Sequence, residues 1–238
     1  MSAPGFFGKV RTHGDFVTRR LPAAFVDPWD RSLQAGMLHA RACFGPQWLP
    51  IYLNAPLWNF VLAPGLCGAS AWAGVLMPGV DRVGRYFPLT IAMAYEGDAL
   101  ATWLNVAQAW FDTAAQFALS TLAADFQLEA FDTSLVALNG MQQVRADAQA
   151  APWRMECARA PDSGAPFGES LAAGIAPGTS VWWTEGADEV PATLRVGAGL
   201  LDGPRFADLL DRADAAWQTV VPLRRASAQR NGNGRIGD

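Results

Sequence analysis

The sequence predicts an α/β fold of the α+β type, a single-domain sandwich in which helices cover a central mixed or antiparallel sheet. Helical periodicity and short apolar runs follow in the order helix, several strands, long helices, two strands and helix. The 238 residues are 51% hydrophobic, which is ample for one substantial core. We expect one domain over residues 1–222 and a polar, glycine-rich, disordered tail over residues 223–238.

The first elements are a glycine-punctuated segment and a helix. Residues 5–16 are basic and interrupted by glycine, so we expect a loop or a short edge strand. A helix is predicted over residues 28–44, with Asp27 as its N-cap and Pro28 at the first helical position. Gly45 and the proline after it end this helix.

Three apolar runs predict neighbouring strands over residues 57–63, 71–77 and 87–95. The first two end in Pro-Gly pairs. Pro88 cannot donate to a sheet ladder, so the start of the third strand must lie at an edge, a bulge or a terminus.

The rest of the chain predicts further helices and two more strands. An apolar stripe at helical spacing indicates a helix over residues 98–122, with Asp98 as its N-cap, and a shorter helix follows over residues 125–137. Residues 139–166 have the composition of a loop or an insertion, with or without a short helix. We then expect strands over residues 179–184 and 192–198 and a helix over residues 203–217.

Composition limits the classes of function. Only 17% of residues are charged, and the net charge of −4 argues against general nucleic-acid binding. Residues 1–85 carry a net charge of +4 and the remainder −8, an asymmetry that indicates either an interaction face or an accident of position. Three cysteines without CxxC spacing, no signal peptide and no membrane-spanning run predict a cytoplasmic protein without membrane insertion. No pattern indicates an oligomeric state.

Two charged clusters interrupt this apolar sequence. The first cluster comprises Lys9, Arg11, His13, Asp15, Arg19 and Arg20. The second comprises Asp81, Arg82 and Arg85 and lies in "MPGVDRVGRYFPLT", residues 77–90, between two predicted strands. Either the two clusters pair with each other and organise their loops, or they present arginines to a partner. We expect Asp81 to pair with an arginine or with backbone N–H groups, because an unpaired charge among apolar strands is costly. The candidate residues for loop organisation or partner binding are Lys9, His13, Asp15, Arg19, Asp81, Arg82, Arg85 and Tyr86.

Two alternative functions rest on fewer residues. A hydrolase would use Cys67 as the nucleophile, or His13 oriented by Asp15 as a general base. An anion-sensing module would bind phosphate through Arg82 and Arg85. No nucleotide or metal-binding motif is present, so we expect no cofactor and no metal.

Two long motifs resemble the TagF family, also called ImpM, of type VI secretion system-associated proteins. They are "GFFGKVRTHGDFVTRRLPAAFVDPWDRSLQ" and "WNFVLAPGLCGASAWAGVLMPGVDRVGRYFPLTIA", and "VWWTEG" resembles a later block. The resemblance implies a cytoplasmic, post-translational negative regulator of type VI secretion. It also implies that the protein is not an enzyme and binds the forkhead-associated scaffold protein of the system.

Overall fold

The structure is a computed structural model that describes residues 2–95, 100–104, 107–138, 153–155, 175–211 and 214–225. Within these residues, helices cover an antiparallel sheet, as the α+β prediction requires. The strands are β1 Gly5–Gly8, β2 Val17–Arg19, β3 Trp58–Leu62, β4 Ala71–Met77, β5 Leu89–Tyr95, β6 Trp153–Met155, β7 Thr179–Thr184, β8 Thr193–Ala198 and β9 Thr219–Arg225. The helices are α1 Ala23–Phe44, α2 Trp48–Asn54, α3 Leu100–Leu104, α4 Gln108–Ser120, α5 Leu128–Ala137 and α6 Gly203–Leu210.

One open sheet runs through both halves of the chain. Its strand order is β2-β1-β5-β4-β3-β7-β8-β9-β6, and each of these pairings is antiparallel. The halves meet where β3 pairs with β7, with Phe60 opposite Trp182. Because this pairing lies inside the sheet, the two halves of the chain form one continuous sheet, and both contribute to each of its faces.

The alternation of side chains along the strands creates one apolar core on each face. Val61 and Trp183 point to a core completed by α3, α4 and α5. Phe60 and Trp182 point to the opposite core, completed by α1, α2 and α6. Side chains on both faces of β3 and β7 are buried, which explains why these strands have continuous apolar sequences rather than alternating ones.

Helix α1 begins five residues earlier than the sequence predicted. Its first residue is Ala23, and Pro28 lies inside the helix rather than at its first position, so the assignment of Asp27 as the N-cap is wrong. Phe25 explains the extension, because its fully buried ring packs 4.4 Å from the ring of Trp72. The predicted end is confirmed: the helix stops at Gly45, whose φ of 51° lies in the left-handed region.

The predicted strands are confirmed, whereas the predicted helices over residues 98–122 and 203–217 differ from the observed ones. The five predicted strands are present within two residues of their expected bounds, and β5 begins directly after Pro88, as its missing N–H requires. The helix predicted over 98–122 contains α3 and α4, and Asp98 lies outside the described residues. The predicted helix over 203–217 ends at Leu210.

The sheet also contains strands that the sequence did not place there. Strand β1 lies between β2 and β5 rather than at an edge, because the three-residue β2 pairs with its outer side. Strand β9 extends to Arg225, three residues into the segment predicted as a tail. Residues 226–238 and most of the predicted insertion over 139–166 lie outside the described residues.

The fold brings the two charged segments to one end of the sheet. Strand β1 ends at Gly8, strand β4 ends at Met77, and strand β5 starts at Leu89. Antiparallel pairing places Phe7 opposite Thr90 and Met77 opposite Leu89. The loop that follows β1 and the loop that joins β4 to β5 therefore leave the sheet side by side.

Candidate interaction site at two charged loops

The candidate site consists of the N-terminal loop, residues 9–16, and the Asp-Arg loop, residues 78–88. Gly79 sets their close approach: a Cβ atom there would lie 2.4 Å from the carbonyl oxygen of Phe87 and 2.7 Å from that of Lys9. The Tyr52 hydroxyl holds this glycine by donating to its carbonyl oxygen at 3.1 Å and accepting from its N–H at 2.9 Å. A side chain at position 79 would therefore push the loops apart.

Asp81 is the centre of the site. It is buried, and its carboxylate accepts from the Lys9 ammonium at 2.5 Å and from the Arg85 Nε at 2.7 Å. The backbone N–H groups of Val83 and Arg85 donate to it at 3.0 and 2.8 Å. Burial opposes ionisation, but these donors outweigh it and hold the pKa of Asp81 below its ordinary value. The prediction that Asp81 pairs with an arginine or with backbone N–H groups is confirmed.

Further contacts join the two loops. The Arg85 guanidinium donates to the carbonyl oxygen of Gly14 and lies 3.3 Å from the carboxylate of Asp15. The backbone N–H of Arg82 donates to the carbonyl oxygen of His13 at 2.9 Å. Asp81 and Arg85 thus fasten the Asp-Arg loop to the N-terminal loop, which is the loop-organising arrangement that the sequence offered as one alternative.

The tip of the Asp-Arg loop faces solvent. Arg82 is exposed, and the next side chain, Val83, is 64% exposed. Among the described residues, the Arg82 guanidinium has no hydrogen-bond acceptor and no carboxylate within salt-bridge distance. Gly84, with a φ of 83°, turns the chain back immediately after this tip. The loop therefore presents one cation and one apolar side chain on a fixed base.

Three other candidate residues have different surroundings. Arg19 lies on β2 and contacts Glu129 and Asp132 of α5 at 3.4 and 3.9 Å, away from the Asp81 network. The Nδ1 atom of His13 is 3.0 Å from the hydroxyl oxygen of Thr12. The ring of Tyr86 packs edge-on against Tyr52, with ring centroids 6.0 Å apart. The structure therefore brings together Lys9, Asp15, Asp81, Arg82 and Arg85, with His13 contributing its backbone.

The geometry offers little to the catalytic alternative. The thiol of Cys67 is buried, and burial raises its pKa to about 12, so the nucleophilic thiolate is disfavoured. Within the described part of the chain, His13 and Asp15 share no hydrogen bond; Asp15 faces Arg85 instead. No group of three or more His, Cys, Asp or Glu residues in that part is arranged to hold a metal ion.

Anion sensing through both arginines also conflicts with this geometry. That function requires Arg82 and Arg85 to converge on one open site. Arg85 instead uses its donors on Asp81, Gly14 and Asp15, while Arg82 points to solvent at the loop tip. A phosphate at Arg85 would compete with two carboxylates for the same guanidinium.

Sequence reasoning missed the roles of Tyr52 and Phe16. Tyr52 belongs to α2, a helix of one to two turns whose sequence gave no periodic signal. Phe16 remains 45% exposed, although its ring lies 4.8 Å from Phe87 and 4.9 Å from the Lys9 ammonium. An aromatic residue following Gly-Asp in a basic segment was the available signal for Phe16.

Across the described residues, no helix has the length and apolar character needed to cross a bilayer.

Comparison with known proteins identifies similar chains. Residues 5–138 match the family model of the TagF N-terminal domain, described as type VI secretion system-associated. The crystal structure of PA0076 from Pseudomonas aeruginosa PAO1 is 36% identical and aligns with a TM-score of 0.70, covering 88% of this chain and 94% of that one. No curated protein matches the chain. The family model ends at residue 138, so the extension of a single TagF-like domain to residue 222 stays a prediction.

Proposed function

The chain belongs to the TagF N-terminal domain family of type VI secretion system-associated proteins, and on that premise we propose that it is a cytoplasmic, non-enzymatic negative regulator of this system. It acts after translation by binding the forkhead-associated scaffold protein of the secretion system. The scaffold is the partner implied by the two sequence motifs that resemble this family.

The observation that supports this function best is the solvent-facing tip of the Asp-Arg loop. Binding residues are often found on loops that a rigid scaffold positions. Here the buried Asp81 fixes the loop base, and the exposed Arg82 and Val83 project from it. In a protein with only 17% charged residues, an exposed arginine whose guanidinium is in salt-bridge distance of no carboxylate among the described residues suits contact with an acidic group of a partner.

The division of work between the two arginines follows from their contacts. Arg85 is bound to the loop base, so it organises the site. Arg82 is free of such contacts among the described residues, so it meets the partner. Removing Arg82 should therefore weaken binding without weakening the fold, whereas removing Arg85 should affect both.

Binding by the purified proteins tests this function. We expect the wild-type chain to bind the purified forkhead-associated scaffold, and Arg82→Glu to weaken this binding about tenfold or more with an unchanged melting temperature. Arg19→Glu is the control for the change in charge, made on β2 away from the Asp81 network; because its new carboxylate lies beside Glu129 and Asp132, binding is compared at a temperature where both variants are shown to be folded. Equal weakening by both variants would indicate general electrostatics rather than a docking residue.

Secretion in cells tests the regulatory part. Overproducing the wild-type chain should reduce type VI secretion while the amounts of the secretion components stay constant, and Arg82→Glu should lose this effect. If the wild-type chain neither binds the scaffold nor reduces secretion, the proposed function is wrong.

A further inference from the structure

An open groove of about 560 Å³ lies beside the Asp-Arg loop. Helix α1 forms one wall, and the C-terminal end of the loop forms the other. Such a volume is within the range of sites that hold a short segment of another molecule. The residues that define it are Arg31, Gln34, Leu38, Arg41, Tyr86 and Phe87.

The apolar part of the groove is open to solvent. Helix α1 buries Trp29, Leu33 and Met37 against the sheet, whereas Leu38 is 73% exposed on the groove side. Across the groove from Leu38, Tyr86 is half-buried, whereas Phe87 is only 5% exposed and forms the floor. A largely exposed leucine beside a half-buried aromatic ring in a groove is a candidate contact for a partner's apolar side chains.

The charged part of the groove is entirely basic. Arg31 and Arg41 lie seven residues before and three residues after Leu38, which places all three along one side of the helix. The Arg41 guanidinium lies over the ring of Trp48 at 5.2 Å, which positions it at the groove. The lining contains no carboxylate, and among the described residues no carboxylate lies within salt-bridge distance of either arginine.

We propose that this groove binds an acidic amphipathic helix of a protein partner. From Arg31 to Arg41 the groove side of α1 is about 15 Å long, which corresponds to about three turns of a bound helix. Both walls offer side chains rather than the free edge of a strand, which excludes strand addition and suits an occupant that satisfies its own backbone hydrogen bonds, as a helix does. Its apolar side chains contact the exposed Leu38 and the half-buried ring of Tyr86, and its carboxylates meet Arg31 and Arg41.

Model peptides test the groove directly. The probes are two synthetic helices of about 18 residues that share one leucine face and carry either glutamate or lysine on the polar face. We expect the glutamate peptide to bind the wild-type chain and to shift the backbone NMR resonances of residues 31–41 and 86–87. The lysine peptide should bind about tenfold more weakly or not at all.

Leu38→Glu and Leu119→Glu are the matched variants. Both leucines are exposed on helices, 73% and 52%, but α4 carries Leu119 on the opposite face of the sheet. Leu38→Glu and the double variant Arg31→Glu/Arg41→Glu should each weaken the glutamate peptide about tenfold or more, and Leu119→Glu should not. Equal affinities of the two peptides, or equal effects of the two leucine variants, would overturn the proposal.

The same variants separate this inference from the proposed function. The inference rests on the proposed function only for the identity of the partner. Leu38→Glu should also weaken binding of the forkhead-associated scaffold. If the scaffold binds Leu38→Glu as tightly as the wild type, the proposed function stands and the groove assignment is wrong. Concentration-dependent self-association of the wild-type chain that Leu38→Glu abolishes would likewise overturn it, because the occupant would then be a second copy.

Discussion

Gly36→Ala should destabilise the protein, although the same change in an ordinary helix stabilises it. Gly36 lies in α1 where this helix meets α6. A methyl group at this position would lie 2.5 Å from both Cβ and Cγ of Phe206, well inside the contact distance of about 3.5–4.0 Å between carbon atoms. Phe206 is 1% exposed, and the two close atoms are the ones nearest its backbone, so a rotation of the ring alone cannot relieve the contact and α6 must shift.

The expected size follows from two opposing effects. Alanine stabilises a helix interior by about 0.5–1 kcal/mol relative to glycine. Overpacking a core costs about 1–3 kcal/mol, and contacts as short as these at Phe206 favour the upper end. The net result for Gly36→Ala is a loss of about 2 kcal/mol, which lowers the melting temperature by roughly 4–8 °C in a chain of this length.

Urea unfolding followed by tryptophan fluorescence measures this effect. Ala35→Gly, at an exposed position of the same helix, is the control, and it should lose only the helix-propensity difference of about 0.5–1 kcal/mol. An unchanged or raised midpoint for Gly36→Ala would refute the packing of α1 on α6. That packing joins the segment that matches the family model to the C-terminal half of the chain.

Three further predictions concern the loops and the thiols. Asp81→Asn should lower the urea midpoint at neutral pH, and the difference in urea midpoint between this variant and the wild type should become smaller in acid. The depressed pKa of Asp81 stabilises the folded protein above the ordinary pKa of 3.8, and this stabilisation is lost as the pH falls towards the folded-state pKa. A difference that stays constant down to acid pH would contradict this. Arg85→Glu should lower the melting temperature, because it places a second carboxylate beside Asp81, whereas Arg82→Glu should not; equal melting temperatures would contradict their different contacts. Peptide-resolved mass spectrometry should show iodoacetamide modifying the exposed Cys43 well before the buried Cys67, and equal rates would contradict the burial of Cys67.

The sequence predicted the central strands and most helices because their signals are local. Strands β3, β4 and β7 are short apolar runs, and α4 carries a helical stripe. The misplaced start of α1 shows the limit of such reasoning. Local chemistry favours a start at Pro28, but burial of Phe25 against Trp72 stabilises an additional turn before it.

Long-range pairings account for the other differences. The place of β1 inside the sheet depends on β5, more than eighty residues away, and nothing in its glycine-rich sequence indicates that partner. Residues 223–225 begin the segment predicted as a tail, yet they extend β9 and pair with residues 153–155 of β6. For such segments the partner strand, rather than the local propensity, decides the structure.

The candidate site also combines a feature that local sequence predicts with features that depend on long-range contacts. That Asp81 would be paired followed from the cost of burying an unpaired charge among apolar strands. That Lys9 would be one of its donors did not follow, because 72 residues separate them. The groove beside α1 could not be predicted from the sequence either, because it forms only where the exposed side of one helix lies next to the end of a distant loop.

Calorimetric titration of the purified wild-type chain into the purified forkhead-associated scaffold protein tests the central claim most directly. We predict saturable binding that weakens as salt is added, because Arg82 and the basic groove contribute through charge. The absence of binding at low salt, with both proteins shown to be folded, would contradict the claim that this chain regulates type VI secretion by docking on that scaffold.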